Sequence, residues 1–403
     1  MEKYFNSLTR YLITFIFIFS YLIHFSANAS SYDFSSEYNG HTIYYEILTD
    51  STLSVSYKGI DIKSYKGDVE IPDTLTYNGV KYHVVEIGKY AFLSCDSLTS
   101  IVIPNSVIDI RDFAFQSCTA ITFINLPDSL NSIGRGSFKS CTALTAIHLA
   151  SKLTTIPPCA FMNCSTLSNV YIGGNIRKID TSAFESCSGL TNVTIGDSVQ
   201  TIGMCAFQLC TNLQSIAIPD ATKIVENFAF YSCGNLRNVK LGQTNNGTQL
   251  TRLSRNSFAY CTRLIKTTLM QTTPPMIFDD TFTGCEYKHI WHVPCSTKAI
   301  YDTTEYWRDL DSIEEDACVG ITEISNNNTV SLYPNPANTE IIIESPNMEA
   351  ITISNLLGQR VYYYKIIGVK KHIINVADLK KGLYIVQISN HNGNVITKKL
   401  EIQ

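Results

Sequence analysis

Catalytic signatures are what this chain of 403 residues lacks. It has no Walker loop for phosphates, no Gly-x-Ser-x-Gly nucleophile elbow and no His-Glu-x-x-His zinc motif. Gly134-Arg-Gly136 lacks the third glycine of a dinucleotide fingerprint. Charge is scarce too: Asp, Glu, Lys and Arg make up 16% of the residues, with a formal net charge of -4. No basic field is available to hold phosphates, which excludes nucleic acid as a partner. Beyond the first 29 residues no stretch is long and apolar enough to span a bilayer, so no transmembrane segment is expected in the mature chain. What is present is a globular composition, 45% hydrophobic with ordinary glycine and proline, in a chain long enough for two or three domains.

The amino terminus reads as an address. Lys3 and Arg10 precede the apolar run from Tyr11 to Phe25, and Ala27-Asn28-Ala29 follows it. A basic start, an apolar middle and a small-x-small end describe a secretory signal peptide over residues 1-29, cleaved after Ala29. No cysteine lies near that site, which argues against a lipoprotein anchor.

A repeat fills the middle of the chain. Phe92, Phe115, Phe138, Phe161, Phe184, Phe207 and Phe230 are each separated by 23 residues, and Phe258 and Phe282 follow after 28 and 24. Three residues past each of these phenylalanines stands a cysteine, from Cys95 and Cys118 through to Cys285. An apolar residue recurs five before the phenylalanine (Ile87, Ile110, Ile133) and six after it (Leu98, Ile121, Leu144). The segment LTSIVIP alternates in the manner of a short strand with one buried face. The AFxxCxxL segment spaces apolar groups by three, which suits a turn or a short helical piece on the opposite side. One such coil cannot bury its own apolar groups, whereas stacked neighbours bury them against each other. The expected fold is therefore mainly β, a solenoid of 23-residue repeats.

These nine Phe-Cys frames, each ahead of an LxxIxIP-type strand, resemble the BspA-like leucine-rich repeat family over residues 83-285. The resemblance implies a curved leucine-rich repeat solenoid in a secreted or surface protein that serves adhesion or partner binding. The resemblance also implies extracellular-matrix proteins such as fibronectin and fibrinogen as ligands. Two departures stand out: proline gives way to Ala150 and Gly173 after two strands, and five extra residues near Gly242-Gln249 should bulge as a loop at a coil edge.

The flanks read as caps. Residues 30-82 carry short alternating runs, with Asn78-Gly79 as the one hairpin signal read there, and suit an amino-terminal β cap. Residues 286-318 resemble the family's closing cap, with Val293-Pro294 and Tyr306-Trp307 where its strand and closing aromatic stand. After a linker over 319-328, residues 329-403 resemble the type A carboxy-terminal sorting domain of the type IX secretion system. The resemblance rests on Tyr333-Pro334-Asn335-Pro336, Gly358-Gln359, Gly382-Leu383-Tyr384 and Lys398-Lys399-Leu400. It implies a small β-sandwich of about seven strands, recognition by the type IX machinery, and a body displayed on the exterior of the outer membrane of a Gram-negative bacterium.

The repeated cysteines admit disulfide, metal or packing readings. Equivalent side chains on adjacent coils run parallel about 4.8 Å apart, whereas a disulfide needs converging Cβ atoms near 3.8 Å. A zinc site needs ligands that converge on one point. The ladder is therefore read as packing thiols. Cys159 and Cys205 lie two coils apart at one repeat phase and should not pair, while Cys295 and Cys318 are a possible bridge in the closing cap. His289-Ile-Trp-His292 has no third ligand in view and reads as a cap strand with polar ends. No metal and no cofactor are expected.

What remains is surface. Positions eight and ten past each phenylalanine should point outward from the strand, and Phe123, Asn125, His148, Asn169, Tyr171, Asn192 and Thr194 form the candidate binding patch. The leading reading is a secreted, surface-displayed protein without enzymatic activity that binds a protein or glycan outside the cell. A structural subunit of the cell envelope is the first alternative, and an enzyme with a scattered, unrecognised site is the weaker one.

Overall fold

The computed structural model describes residues 32–316 and 330–403, apart from 60–62, 244–248, 286–288, 311, 346–347, 356–358, 366–368 and 391–394. The chain divides into two compact units, Met1–Asp316 and Ala317–Gln403. The signal-peptide reading and the expected linker fall on residues outside those described.

The first unit is a β-solenoid. Each coil contributes a longer strand from the LTxIxI segment, such as Asn169–Ile172, and a two-residue strand ending on the apolar position five before the phenylalanine, such as Lys178–Ile179. Neighbouring coils pair in parallel and in register, so Asn169 lies beside Asn192 and Ile179 beside Ile202. The second, shorter strand went unread in the sequence, because two residues are too few to show an alternation.

Between the strands, the AFxxC segment is a run of tight turns with no helix. The residues two before and two after the phenylalanine take left-handed conformations at eight of the nine, as at Cys159 (φ 56°) and Asn163 (φ 62°); at Phe282 only Gly284 (φ 76°) does. Such a residue costs on the order of 1 kcal/mol unless it is glycine. The geometry returns this in hydrogen bonds. The N–H groups of Cys159, Phe161 and Asn163 point along the stack to the carbonyls of Thr181, Ala183 and Glu185. Those of Ala160, Met162 and Cys164 turn back on carbonyls three residues earlier in their own coil. Every donor of the turn is thus satisfied, which a buried backbone requires.

The nine phenylalanines form one stack, with centroids 4.9 to 5.6 Å apart and rings within 12° of parallel. Its ends are closed by other aromatics: Tyr65 lies 4.5 Å from Phe92, and Trp291 meets Phe282 edge-on at 4.5 Å. With the isoleucines and leucines of the two flanking repeat positions, these rings make a single continuous core.

The caps extend both sheets. Phe34–Tyr38, His41–Thr49 and Thr52–Ser56 form an antiparallel meander; Val80–Ile87 then pairs in parallel with Thr52–Ser56 and hands over to the first coil at Asp109–Ile110. Asn78-Gly79 makes the hairpin turn between Thr74–Tyr77 and Val80–Ile87. It is not alone, as the sequence reading had it: Asn39-Gly40, with φ of 48° and 81°, turns the first hairpin the same way. At the other end Ile290–Val293 and Ile313–Glu315 continue the long-strand sheet. Trp307 is fully buried beneath them, its indole N–H donating to the Pro275 carbonyl at 2.7 Å. The five extra residues of the seventh interval leave the register intact, since Val225 still pairs with Leu253 and Leu241 with Leu269. Most of the expected loop, 244–248, lies outside the described residues.

The second unit is a β-sandwich. Ser331–Tyr333, Glu340–Glu344 and Lys371–Asn375 form one antiparallel sheet; Arg360–Lys365, Met348–Asn355, Gly382–Asn390 and Val395–Ile402 form the other. Ile341, Ile343, Ile351, Ile353, Val386 and Leu400 fill the space between them.

Candidate functional site

Phe123, Asn125, His148, Asn169, Tyr171, Asn192 and Thr194 all lie on one parallel four-stranded sheet and are all exposed. The alternation of the strands explains this. Ile124, Ile147 and Val170 point into the core, so the residues on either side of each point out. Parallel register then lines the outward residues up in two files. Phe123, Ala146, Asn169 and Asn192 make one; Asn125 pairs with His148, and Tyr171 with Thr194, in the other. Phe123 is 51% and Tyr171 64% exposed, large values for rings on a sheet face.

Two of the three amides on this face, Asn169 and Asn192, are held by hydrogen bonds. Asn192 donates through Nδ2 to the Asn169 side-chain oxygen at 3.0 Å, and Asn169 donates to the Ser168 hydroxyl at 3.0 Å. Beside them Thr145, Ser168 and Thr191 donate their hydroxyls to the carbonyl of the preceding coil. No Asp, Glu, Lys or Arg occupies an outward position on these four strands. Chemically the face offers two aromatic rings, three amides of which two are fixed, and one imidazole, a set suited to an uncharged or mixed surface. Among the described residues no group of three or more His, Cys, Asp and Glu side chains is placed to hold a metal ion.

The cysteine ladder has a role beyond packing. Each Sγ from Cys118 to Cys285 donates to the carbonyl of the phenylalanine in the preceding coil, at 3.0 to 3.4 Å. The sequence signal was available in the invariant three-residue offset from phenylalanine. Burial pushes the thiols of Cys141, Cys187 and Cys233 up to about 12. Cys159 and Cys205 are half-buried thiols, and neither is bridged. Cys295 is disulfide-bonded, whereas Cys318 lies outside the described residues.

His289 departs from the sequence reading. It is not a polar strand end but a buried residue, its ring tilted against Trp291 with centroids 3.9 Å apart and sharing a hydrogen bond with the Thr267 hydroxyl at 2.9 Å. Burial lowers its imidazole to about 4. The two glycines of Gly134-Arg-Gly136 are explained by close approach: a Cβ at Gly134 would sit 2.4 Å from the Arg111 carbonyl carbon, and one at Gly136 would sit 2.6 Å from the Phe113 ring.

In the second unit the motif residues converge on the last strand. Asn335 donates to the Lys399 carbonyl at 2.7 Å and accepts from the Glu401 N–H at 2.8 Å, clamping that backbone. Pro334 and Pro336 flank it through cis peptide bonds. Tyr333 donates its hydroxyl to Glu344 at 2.8 Å, and Lys371 reaches the same oxygen at 3.0 Å; together they hold the Glu344 carboxyl below the usual range. Gly382 has φ of 144°, a conformation that residues with a Cβ rarely adopt, and Tyr384 donates to the Lys380 carbonyl at 2.8 Å. Lys398 and Lys399 sit on the final strand, and Gly358 lies outside the described residues.

This is the architecture of a leucine-rich repeat protein with an appended secretion module. The BspA type leucine rich repeat region matches residues 85–203 and 178–304, more than half of the chain, and the protein belongs to that family. The secretion system C-terminal sorting domain matches residues 331–403. Among solved structures the chain is similar to a leucine-rich repeat protein from Bacteroides ovatus (21% identity, 65% of this chain and 85% of that one, TM-score 0.38). It is also similar to a leucine rich cell surface protein from Faecalibacterium prausnitzii (22% identity, 72% and 96%, TM-score 0.39). A leucine rich repeat protein of T. pallidum matches at 24% identity over 42% of this chain and 87% of that one, with a TM-score of 0.36. At such TM-scores these likenesses add nothing to the assignment, which rests on the family matches. No curated protein matches the chain. The sorting tail assigns the chain to type IX export and to a cell-surface or extracellular location, and the repeats to protein interaction. Among the described residues no helix is long and apolar enough to cross a membrane.

Proposed function

We propose that the protein is an adhesin displayed on the exterior of the outer membrane of a Gram-negative bacterium, a binding protein and not an enzyme. It engages a protein or glycan outside the cell, with extracellular-matrix proteins as the leading ligand class. The observation that carries this reading is the outward, in-register display of Phe123 and Tyr171 among fixed amides on an uncharged sheet face. Aromatic rings presented by a rigid scaffold lose little side-chain entropy on binding and are frequent interface anchors. The sorting tail supports the location.

The test compares the chain from Ser30 onward with its Phe123→Ser/Tyr171→Ser variant on a panel of matrix proteins, mucins and glycans. Thermal unfolding at the wild-type temperature verifies that the variant is folded. The expected result is saturable binding by the parent, weakened at least about tenfold in the variant. Undiminished binding by the variant would move the site off this face. Self-association with no ligand would replace adhesion by a role in envelope assembly.

A further inference from the structure

The net charge of -4 conceals a local cluster of the opposite sign. Arg237, Lys240, Arg263 and Lys266 are all exposed on two neighbouring coils of the solenoid. In the strands Asn238–Leu241 and Lys266–Leu269 the buried Val239, Leu241, Thr267 and Leu269 define the core side, so Lys240 and Lys266 point outward. Asn238 lies beside Lys266, and the N–H groups of Ile265 and Lys266 both donate to the Arg237 carbonyl, at 3.0 and 3.1 Å. Arg263 reaches back over the preceding coil, where its guanidinium donates to the Asn235 side-chain oxygen at 2.8 Å. Asn235 in turn donates to Asn212 at 3.2 Å, and Lys240 donates to the Gln243 carbonyl at 3.3 Å. Residues 211–218, 234–241 and 261–269 contain no aspartate or glutamate. Among the described residues none of the four cations forms an ion pair with a carboxylate. Carboxylates return at the margins: Asp197 and Asp220 hold Gln243 beyond the strand end, and Glu314 stands two strands on from Thr268.

We infer that these two coils bind a sulfated polysaccharide, with Arg237, Arg263 and Lys266 on sulfate groups and Asn235 and Asn238 on sugar hydroxyls. Charge complementarity selects an anion, and a guanidinium fork matches an oxyanion with two parallel hydrogen bonds. Coils about 4.8 Å apart hold the cations at a close, fixed spacing, which a sugar chain with only widely spaced carboxylates would leave partly unmatched. A nucleic acid fits less well, because among the described residues no exposed aromatic ring stands between these cations to stack a base. An acidic peptide finds no free strand edge to extend, since both strands are paired on both sides. The inference uses none of the residues of the Phe123–Tyr171 patch and does not rest on the reading given for it.

The affinity of the chain from Ser30 onward is measured for heparin, desulfated heparin, hyaluronan and polyglutamate. Saturable binding to heparin that weakens as salt is raised, and far weaker binding to the other three, is expected. Arg237→Gln/Lys266→Gln alters two exposed side chains and leaves their backbone bonds in place; it should weaken heparin binding at least about tenfold. Thermal unfolding at the parent temperature verifies that this variant is folded. Lys152→Gln/Lys223→Gln removes the same charge elsewhere on the solenoid and should bind heparin like the parent, as should Phe123→Ser/Tyr171→Ser. Equal loss in the Lys152/Lys223 variant would reduce the effect to net charge. Equal binding to desulfated heparin or hyaluronan would remove the role of sulfate, and equal binding to polyglutamate would make the partner an acidic peptide. Undiminished binding by the Arg237/Lys266 variant, or no binding to heparin by the parent, would likewise overturn the inference.

Discussion

The Sγ of Cys187 donates to the carbonyl oxygen of Phe161, 26 residues earlier, at 3.1 Å. This bond ties one coil to the one before it at the centre of the core, directly beside the stacked rings. A side chain at that position must be small, apolar enough to be buried, and able to donate weakly. Cysteine meets all three conditions, whereas alanine cannot donate and serine brings a costlier group to desolvate.

The ladder thiols should therefore be chemically silent in the folded protein. With its thiol pushed up to about 12 and fully buried, Cys187 should resist alkylation until the solenoid unfolds. The half-buried Cys159 and Cys205 should be modified first. Mass spectrometry of peptides alkylated before and after denaturation reads the order directly.

Truncating a ring inside the stack should cost far more than truncating one at its end. Phe184→Ala removes a fully buried ring flanked on both sides and should destabilise the solenoid by about 3–5 kcal/mol. Phe282→Ala acts on a ring only partly buried, and the loss should be smaller. Urea denaturation of both variants gives the comparison.

His289 should make the closing cap sensitive to acid. Its imidazole is lowered from 6.5 to about 4 in the folded chain, so the unfolded chain takes up the proton first as pH falls. The contribution is complete above pH 6.5 and is lost progressively down to pH 4, amounting to about 3 kcal/mol. His289→Gln should flatten this part of the stability profile, measured by denaturation at a series of pH values.

The Asn335 clamp should be worth about 1–2 kcal/mol to the sorting unit, because its two hydrogen bonds are exposed. Asn335→Ala should speed hydrogen exchange at the Glu401 amide while leaving the amides of Ile351 and Val386 protected.

Much of this was legible in the sequence because the chain repeats itself. The spacing of Phe92, Phe115 and their successors identifies the coil, and the alternation in LTSIVIP identifies both the strand and its outward positions. The outward exposure of Phe123 and Tyr171 follows from that parity alone. What escaped depends on contacts between coils or on conformations that many residue types share. The left-handed positions are filled by Tyr90, Phe113, Cys159 and Leu209, among others, and no composition marks them. The burial of His289 came from Trp291 and Thr267, a neighbour on the next strand that periodicity does not reveal.

The hydrogen bonds between coils all run along the axis of the stack, each coil held chiefly by the ones before and after it. Tension applied between the two ends of such a stack meets these bonds a row at a time, not all together. The solenoid should yield by peeling, in steps of one 23-residue coil that each release about 8 nm of chain. In the adhesin proposed above, such stepwise yielding would let the solenoid lengthen under load before the bound face is pulled away.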